Sequence, residues 1–113
     1  MIDIEQLEQM FESIANGAKW DMAKPMLWGY FFTDPSREKL EALVPVLERD
    51  GYRFVDLFIP ELDEGEPSYY FLHVESEEIH SPASLHRRNA GFYSLAERMG
   101  VDSYDGMDVG PIK

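Results

Sequence analysis

From Ser81 to Gly106 the chain reads S-P-A-S-L-H-R-R-N-A-G-F-Y-S-L-A-E-R-M-G-V-D-S-Y-D-G, and no other stretch constrains the fold as tightly. Pro82 stands where a first helical turn tolerates proline, and Gly100 stands where a helix stops. Between them Leu85, Phe92, Leu95, Ala96 and Met99 fall on one face at helical spacing. A short run, Val101 to Tyr104, follows as a strand and ends at Asp105-Gly106. A helix with one apolar stripe must bury it against another layer, so the chain needs a sheet or further helices to receive it.

The preceding residues supply both. Asp3 to Asn16 places Ile4, Leu7, Met10 or Phe11, and Ile14 at helical spacing, with Asn16-Gly17 as the stop. Pro25 to Thr33 is a dense aromatic run, P-M-L-W-G-Y-F-F-T, and reads as a strand. Asp34 or Ser36 can cap the next helix, which carries Leu40, Leu43, Val44 and Leu47 and stops at Asp50-Gly51. Pro45 inside that helix predicts a kink or a local break. Tyr52 to Ile59 and Tyr69 to Glu75 read as two more strands, joined by an acidic turn over Pro60 to Pro67 and forming a hairpin.

The resulting order is α-β-α-β-β-α-β. Without its first helix this is a split βαβ arrangement, a ferredoxin-like α+β sandwich with a four-stranded antiparallel sheet. Right-handed crossovers then put the two later helices on one sheet face. Residues 1–113 read as one domain, with the N-terminal helix within residues 1–18.

Alternation along the strands separates two faces. One offers Leu27, Gly29 and Phe31, Val55, Leu57 and Ile59, and Tyr70, Leu72 and Val74, an aliphatic set suited to lie under helices. The other offers Trp28, Tyr30 and Phe32, Tyr52, Phe54 and Phe58, and Tyr69, Phe71 and His73. An aromatic face of that size needs a cover. The first helix, through Leu7, Met10, Phe11 and Ile14, is the simplest one. A homodimer or a partner protein docking on Trp28, Tyr30, Phe54 and Phe71 is the alternative.

Charge narrows the choice of partners. Twenty-two acids against 10 bases give a formal net charge of −12. A nucleic-acid binder needs clustered Lys and Arg to displace counterions from phosphates, so direct nucleic-acid binding is not expected, nor is binding to anionic membranes. A basic segment of a protein is the natural complement. The acids concentrate in one stretch: Glu61, Asp63, Glu64, Glu66, Glu75, Glu77 and Glu78 occur without a Lys or Arg among them. They form the expected partner-binding face. No apolar run approaches a membrane span, and the acidic amphipathic N-terminus is not a signal peptide, so the expected location is the cytoplasm.

Chemistry is sparse. With no cysteine, thiolate catalysis and Cys-based zinc sites are excluded. His73-Val74-Glu75 puts an imidazole and a carboxylate on one side of a strand, and His80, His86, Glu77 and Glu78 lie near in sequence. A small metal-dependent enzyme using His73 and Glu75 is therefore the alternative function. However, no H-x-x-x-H pair, G-x-S-x-G elbow, P-loop or G-x-G-x-x-G occurs. The expectation is no cofactor, no resident metal and no catalysis.

Two segments together, W-G-Y-F-F … L-E-R-D-G-Y and L-A-E-R-M-G-V-D-S-Y-D-G, resemble the RraB family, bacterial protein regulators of ribonuclease E. The resemblance covers residues 24–112. It implies the same ferredoxin-like architecture and a protein that binds and regulates or inhibits another protein, ribonuclease E being the partner it suggests. It implies no catalytic residue to carry over.

Overall fold

A computed structural model describes residues 2–59 and 69–112. The elements run α1 (Ile4–Asn16), β1 (Met26–Asp34), α2 (Arg37–Arg49), β2 (Arg53–Phe58), β3 (Tyr70–Glu78), α3 (Pro82–Met99) and β4 (Ser103–Gly110). The four strands make one sheet in the order β2-β3-β1-β4, and every neighbouring pair is antiparallel. The result is an α+β fold with a four-stranded antiparallel sheet and three helices.

Local chemistry places the helix ends. Ser36 caps α2 by accepting from the Lys39 amide, and Ser81 caps α3 by accepting from the Ser84 amide at 3.1 Å. Asp34 has a different role from capping. It is buried at the end of β1, accepts from the Ser36 amide at 2.6 Å, and accepts from the Asp102 amide at 2.8 Å. One carboxylate thus ties the start of α2 to the turn before β4. Pro45 does not interrupt α2, which is helical from Arg37 to Arg49. The missing amide sits on an exposed turn, and Leu43 and Leu47 on either side of it are fully buried. That burial outweighs the local cost of proline.

Two strands are longer than the sequence reading has them. β3 continues past Glu75 to Glu78, and the last strand begins at Ser103 rather than Val101 and runs on to Gly110. Strand propensity is poor in both extensions. Pairing with β1 decides them: Leu27 meets Glu77 on one side and Gly110 on the other. The Tyr-Asp-Gly motif lies inside β4. Tyr104 pairs with Phe32 and Gly106 with Phe31, so Asp105 bulges out between them, and Gly106 takes a φ of 127°. That backbone is open to glycine at little cost.

The register corrects the assignment of sheet faces. Tyr30 pairs with Val74 and Phe32 with Leu72, so the aromatic set of β1 shares a face with the aliphatic set of β3. Trp28, Tyr30, Phe32, Leu72 and Val74 are all fully buried, in one cluster with Leu40, Leu43 and Leu47 of α2, Leu85 and Phe92 of α3, and Leu7 of α1. All three helices therefore pack on that face. Phe11 of α1 stacks on Trp28 at 6.0 Å, and Phe92 of α3 meets Tyr30 at 4.9 Å and Phe32 at 5.3 Å. On β2 a bulge at Val55 turns Phe54 and Leu57 to the helix side and Asp56 and Phe58 away from it.

Replacing Asp34 with Ala removes the acceptor of two part-buried amides, Ser36 and Asp102, and is expected to cost about 2 kcal/mol. Chemical denaturation of the variant should show a lower midpoint with an unchanged slope.

Candidate functional site

Two regions hold the chain's unusual side chains, one on each side of the sheet. The first lies under α3. Glu78, at the end of β3, pairs with Met26 and points to the helix side. Its Oε1 accepts from the Tyr30 hydroxyl at 2.5 Å, and its Oε2 accepts from Arg88 of α3. His80 Nε2 lies 3.2 Å from Glu78 Oε1 and 3.1 Å from the Tyr30 hydroxyl, and His80 Nδ1 lies 3.0 Å from Ser84 Oγ. The Arg88 guanidinium also stands over the rings of Tyr52 at 5.4 Å and Tyr30 at 5.9 Å.

The electrostatics of this cluster follow from its partners. Burial by itself would raise the Glu78 carboxyl. Hydrogen bonds from His80, Tyr30 and Arg88 overcome it and hold Glu78 at about 2. Burial, reinforced by the hydrogen bond to Glu78, pushes the Tyr30 phenol far above its usual range. Burial likewise carries Tyr52 up to about 12. Glu78, Tyr30 and Tyr52 are each held in one protonation state near neutral pH, which suits a structural clasp between β3 and α3 better than proton transfer.

The second region is the other face of the sheet, on which no helix lies among the described residues. β1 contributes Leu27, Gly29 and Phe31 to it, and β3 contributes Phe71, His73, Glu75 and Glu77. β2 adds Arg53, Asp56 and Phe58, and β4 adds Asp108. Phe31 stacks on His73 at 4.4 Å, and Phe58 lies 5.7 Å from Phe71. Arg53 bonds Glu75 with Nε at 2.9 Å and also through Nη2. Gly29 makes room for the close approach of two side-chain tips. A Cβ there would come within 2.4 Å of Asp108 Oδ1 and 2.6 Å of His73 Nε2, which converge above it. Together they edge a shallow depression of about 230 Å³.

The sequence-derived residues distribute unevenly over these regions. Glu75 and Glu77 lie on the helix-free face. Glu78 does not, because its register turns it inward to Tyr30, His80 and Arg88. Glu61, Asp63, Glu64 and Glu66 lie outside the described residues. Of the aromatic set, Trp28 and Tyr30 are fully buried under the helices and offer no surface. Phe54 is 42% exposed, beside Val44 of α2 on the helix side. Phe71 alone of the four lies on the open face, half-buried. His73 and Glu75 do share a face, but His73 is stacked on Phe31 and Glu75 is engaged by Arg53. Among the described residues no three His, Asp or Glu side chains are grouped to hold a metal ion.

Asp108 and Asp56 are absent from the sequence reading of the site. Asp108 was hidden by ending the last strand too early. The bulge in β2 concealed Asp56. Arg87-Arg88 is the tight basic pair of the sequence, a candidate to face solvent or to pair with Glu75 to Glu78, and Arg88 does pair with Glu78.

Among the described residues these features are those of a small α+β protein whose helices all lie on one sheet face, with no assembled catalytic constellation. Comparison with known proteins then supplies the family. The family model described as Regulator of ribonuclease activity B, RraB, matches residues 4–109, and the chain belongs to that family. No curated protein and no solved structure matches the chain. No helix among the described residues is long and apolar enough to cross a membrane.

The clasp yields two expectations. Glu78 has its carboxyl depressed in the folded state from an ordinary 4.5 to about 2. Its stabilising contribution is therefore complete above about pH 5 and is lost as pH falls toward 2. Glu78→Gln leaves Arg88 half-buried without its counter-charge and should cost about 2 kcal/mol at pH 7. Urea unfolding at pH 7 and pH 3 should show the gap between the two proteins narrowing at the lower pH.

Proposed function

We propose that the protein regulates a ribonuclease by binding, without catalysis of its own, and that the helix-free face of its sheet is the docking surface for a basic segment of the partner. The family match supports the regulatory reading. The docking part rests on one observation: a sheet face that bears no helix among the described residues and combines half-buried Phe31, Phe58 and Phe71 with Asp56, Glu75, Glu77 and Asp108. The aromatics supply apolar contact area, and the carboxylates select a cationic partner. Arg53, lying against Glu75, is this chain's own example of a guanidinium seated on that face.

The acidic residues Glu61, Asp63, Glu64 and Glu66 belong to the same proposal, as they connect in sequence the two strands that carry most of the face. Ribonuclease E is the partner the family resemblance suggests, and inhibition is the expected sense of the regulation. We read the fold as ferredoxin-like, a single domain with α1 added before the split βαβ core. The strand order and the antiparallel pairing support that reading. A cytoplasmic location fits a regulator of an RNA-processing enzyme.

Long-range attraction of this kind acts on association and is screened by salt, with a Debye length of about 8 Å at physiological ionic strength. In stopped-flow binding to ribonuclease E, Glu77→Lys combined with Asp108→Lys should slow association about tenfold at low salt. The difference should shrink as salt rises. Both positions are exposed, so the unfolding temperature should barely change. Gly29→Ala should weaken binding by pushing His73 and Asp108 out of place, while leaving the fold intact. Binding that ignores salt and all three substitutions would remove the sheet face from consideration.

A further inference from the structure

The helix layer carries a second surface of opposite character. Between α2 and α3 runs an open groove of about 620 Å³, a size typical of ligand sites. Its floor is apolar, built from Val46 of α2, Tyr52, and Phe92 and Leu95 of α3. Its flanks carry Arg87, Arg88 and Arg98 against a single acid, Asp50. The whole chain has only 10 basic residues and a net charge of −12, so three arginines along one groove are a local reversal of sign. Arg88 is committed to Glu78. Arg87 and Arg98 pair with no carboxylate among the described residues. Arg98 also answers the C-terminal dipole of α3, but Arg87, in the first half of the helix, has no such duty.

Gly91 gives the independent sign. It sits in the middle of α3, where glycine costs about 1 kcal/mol relative to alanine. Its backbone is not in the left-handed region, and, its own helix backbone and chain neighbours aside, no atom of the described residues lies within 4 Å of where a Cβ would stand. Neither strain nor crowding by the described residues accounts for it. A bare helix position lining the groove is what close approach by another backbone requires.

We propose that the groove between α2 and α3 is a second binding site, for a peptide segment carrying carboxylate side chains and one bulky apolar side chain. Arg87 and Arg98 present guanidinium forks that match carboxylates in bidentate geometry. The apolar side chain settles over Phe92 and Leu95, and the peptide backbone passes Gly91. RNA is the poorer occupant. It needs many phosphates neutralised at once, and the remainder of the chain repels a polyanion. The site is separate from the sheet face in both position and charge, so either can fail without the other.

Selection of a short random peptide library on the immobilised full chain tests the proposal. Enriched peptides should pair Asp or Glu with Phe, Trp or Leu. The strongest of them, synthesised and titrated, should lose at least about tenfold in affinity to the Arg87→Glu, Arg98→Glu double variant. It should lose a similar factor to Gly91→Gln, which fills the gap. Both glycine replacements, Gly91→Gln and Gly91→Ala, favour the helix, so thermal unfolding at or above the wild-type temperature separates lost binding from lost fold. Failure to enrich any sequence, enrichment of basic peptides, or affinity indifferent to these substitutions would overturn the proposal. So would a short single-stranded RNA that binds more tightly than the peptides and competes with them.

Discussion

The structure depends on the burial of one strand. β1 is paired on both sides, to β3 and β4, and Trp28, Tyr30 and Phe32 project from it into a layer where none retains measurable exposure. Fully burying an aromatic side chain of this size is among the largest single contributions available to a small domain. Each helix finds its place by meeting one of these rings or the aliphatic residues beside them. α1 reaches Trp28 through Phe11, α3 reaches Tyr30 and Phe32 through Phe92, and the three leucines of α2 join the same cluster. Among the described residues such an arrangement leaves no apolar helical stripe to cover the opposite face of the sheet.

The polar cluster around Glu78 is the counterpart of that burial. Tyr30 cannot be buried with its hydroxyl unmet, and Glu78 accepts from it. Glu78 in turn cannot be taken from water without donors, and Arg88 and His80 provide them. The chain of requirements runs from a core aromatic on β1, through the end of β3, to the middle of α3. Its geometry admits one strand register and one helix rotation. The gain in net stability is modest, as it usually is for partly buried charges, but the gain in definition is large: a slip of one residue in β3 would turn Glu78 to the other sheet face, away from Tyr30 and Arg88.

Two surfaces remain once the core and the clasp are accounted for, and they have opposite character. The bare sheet face is acidic and carries half-buried aromatics. The groove between α2 and α3 is lined by arginines over an apolar floor. A protein that acts by contact can use such a division to engage two segments of one partner, or two partners, without one contact blocking the other. Regulation by binding needs no reactive group, and the locked protonation states of Tyr30, Glu78 and Tyr52 are consistent with side chains recruited for rigidity.

The kind, order and approximate extent of the elements were legible in the sequence. Apolar spacing marks all three helices, and capping, first-turn and stop residues such as Ser36, Pro82 and Gly100 mark their ends; these are local signals that act over a few residues. The family was legible too, because its motifs are local patterns of the same kind. Which sheet face the helices cover was decided only by tertiary structure. β1 is apolar on both faces, so its alternation has no polar side to reveal direction. Pairing Tyr30 with Val74 rather than with its neighbour reverses the meaning of every residue on the strand. The extensions of β3 and β4, the bulge that turns Asp56 outward, and the inward turn of Glu78 all follow from pairing across the sheet. Side-chain period in a strand is two, and register is a long-range property, so a one-residue ambiguity that no local signal resolves decides what is core and what is surface.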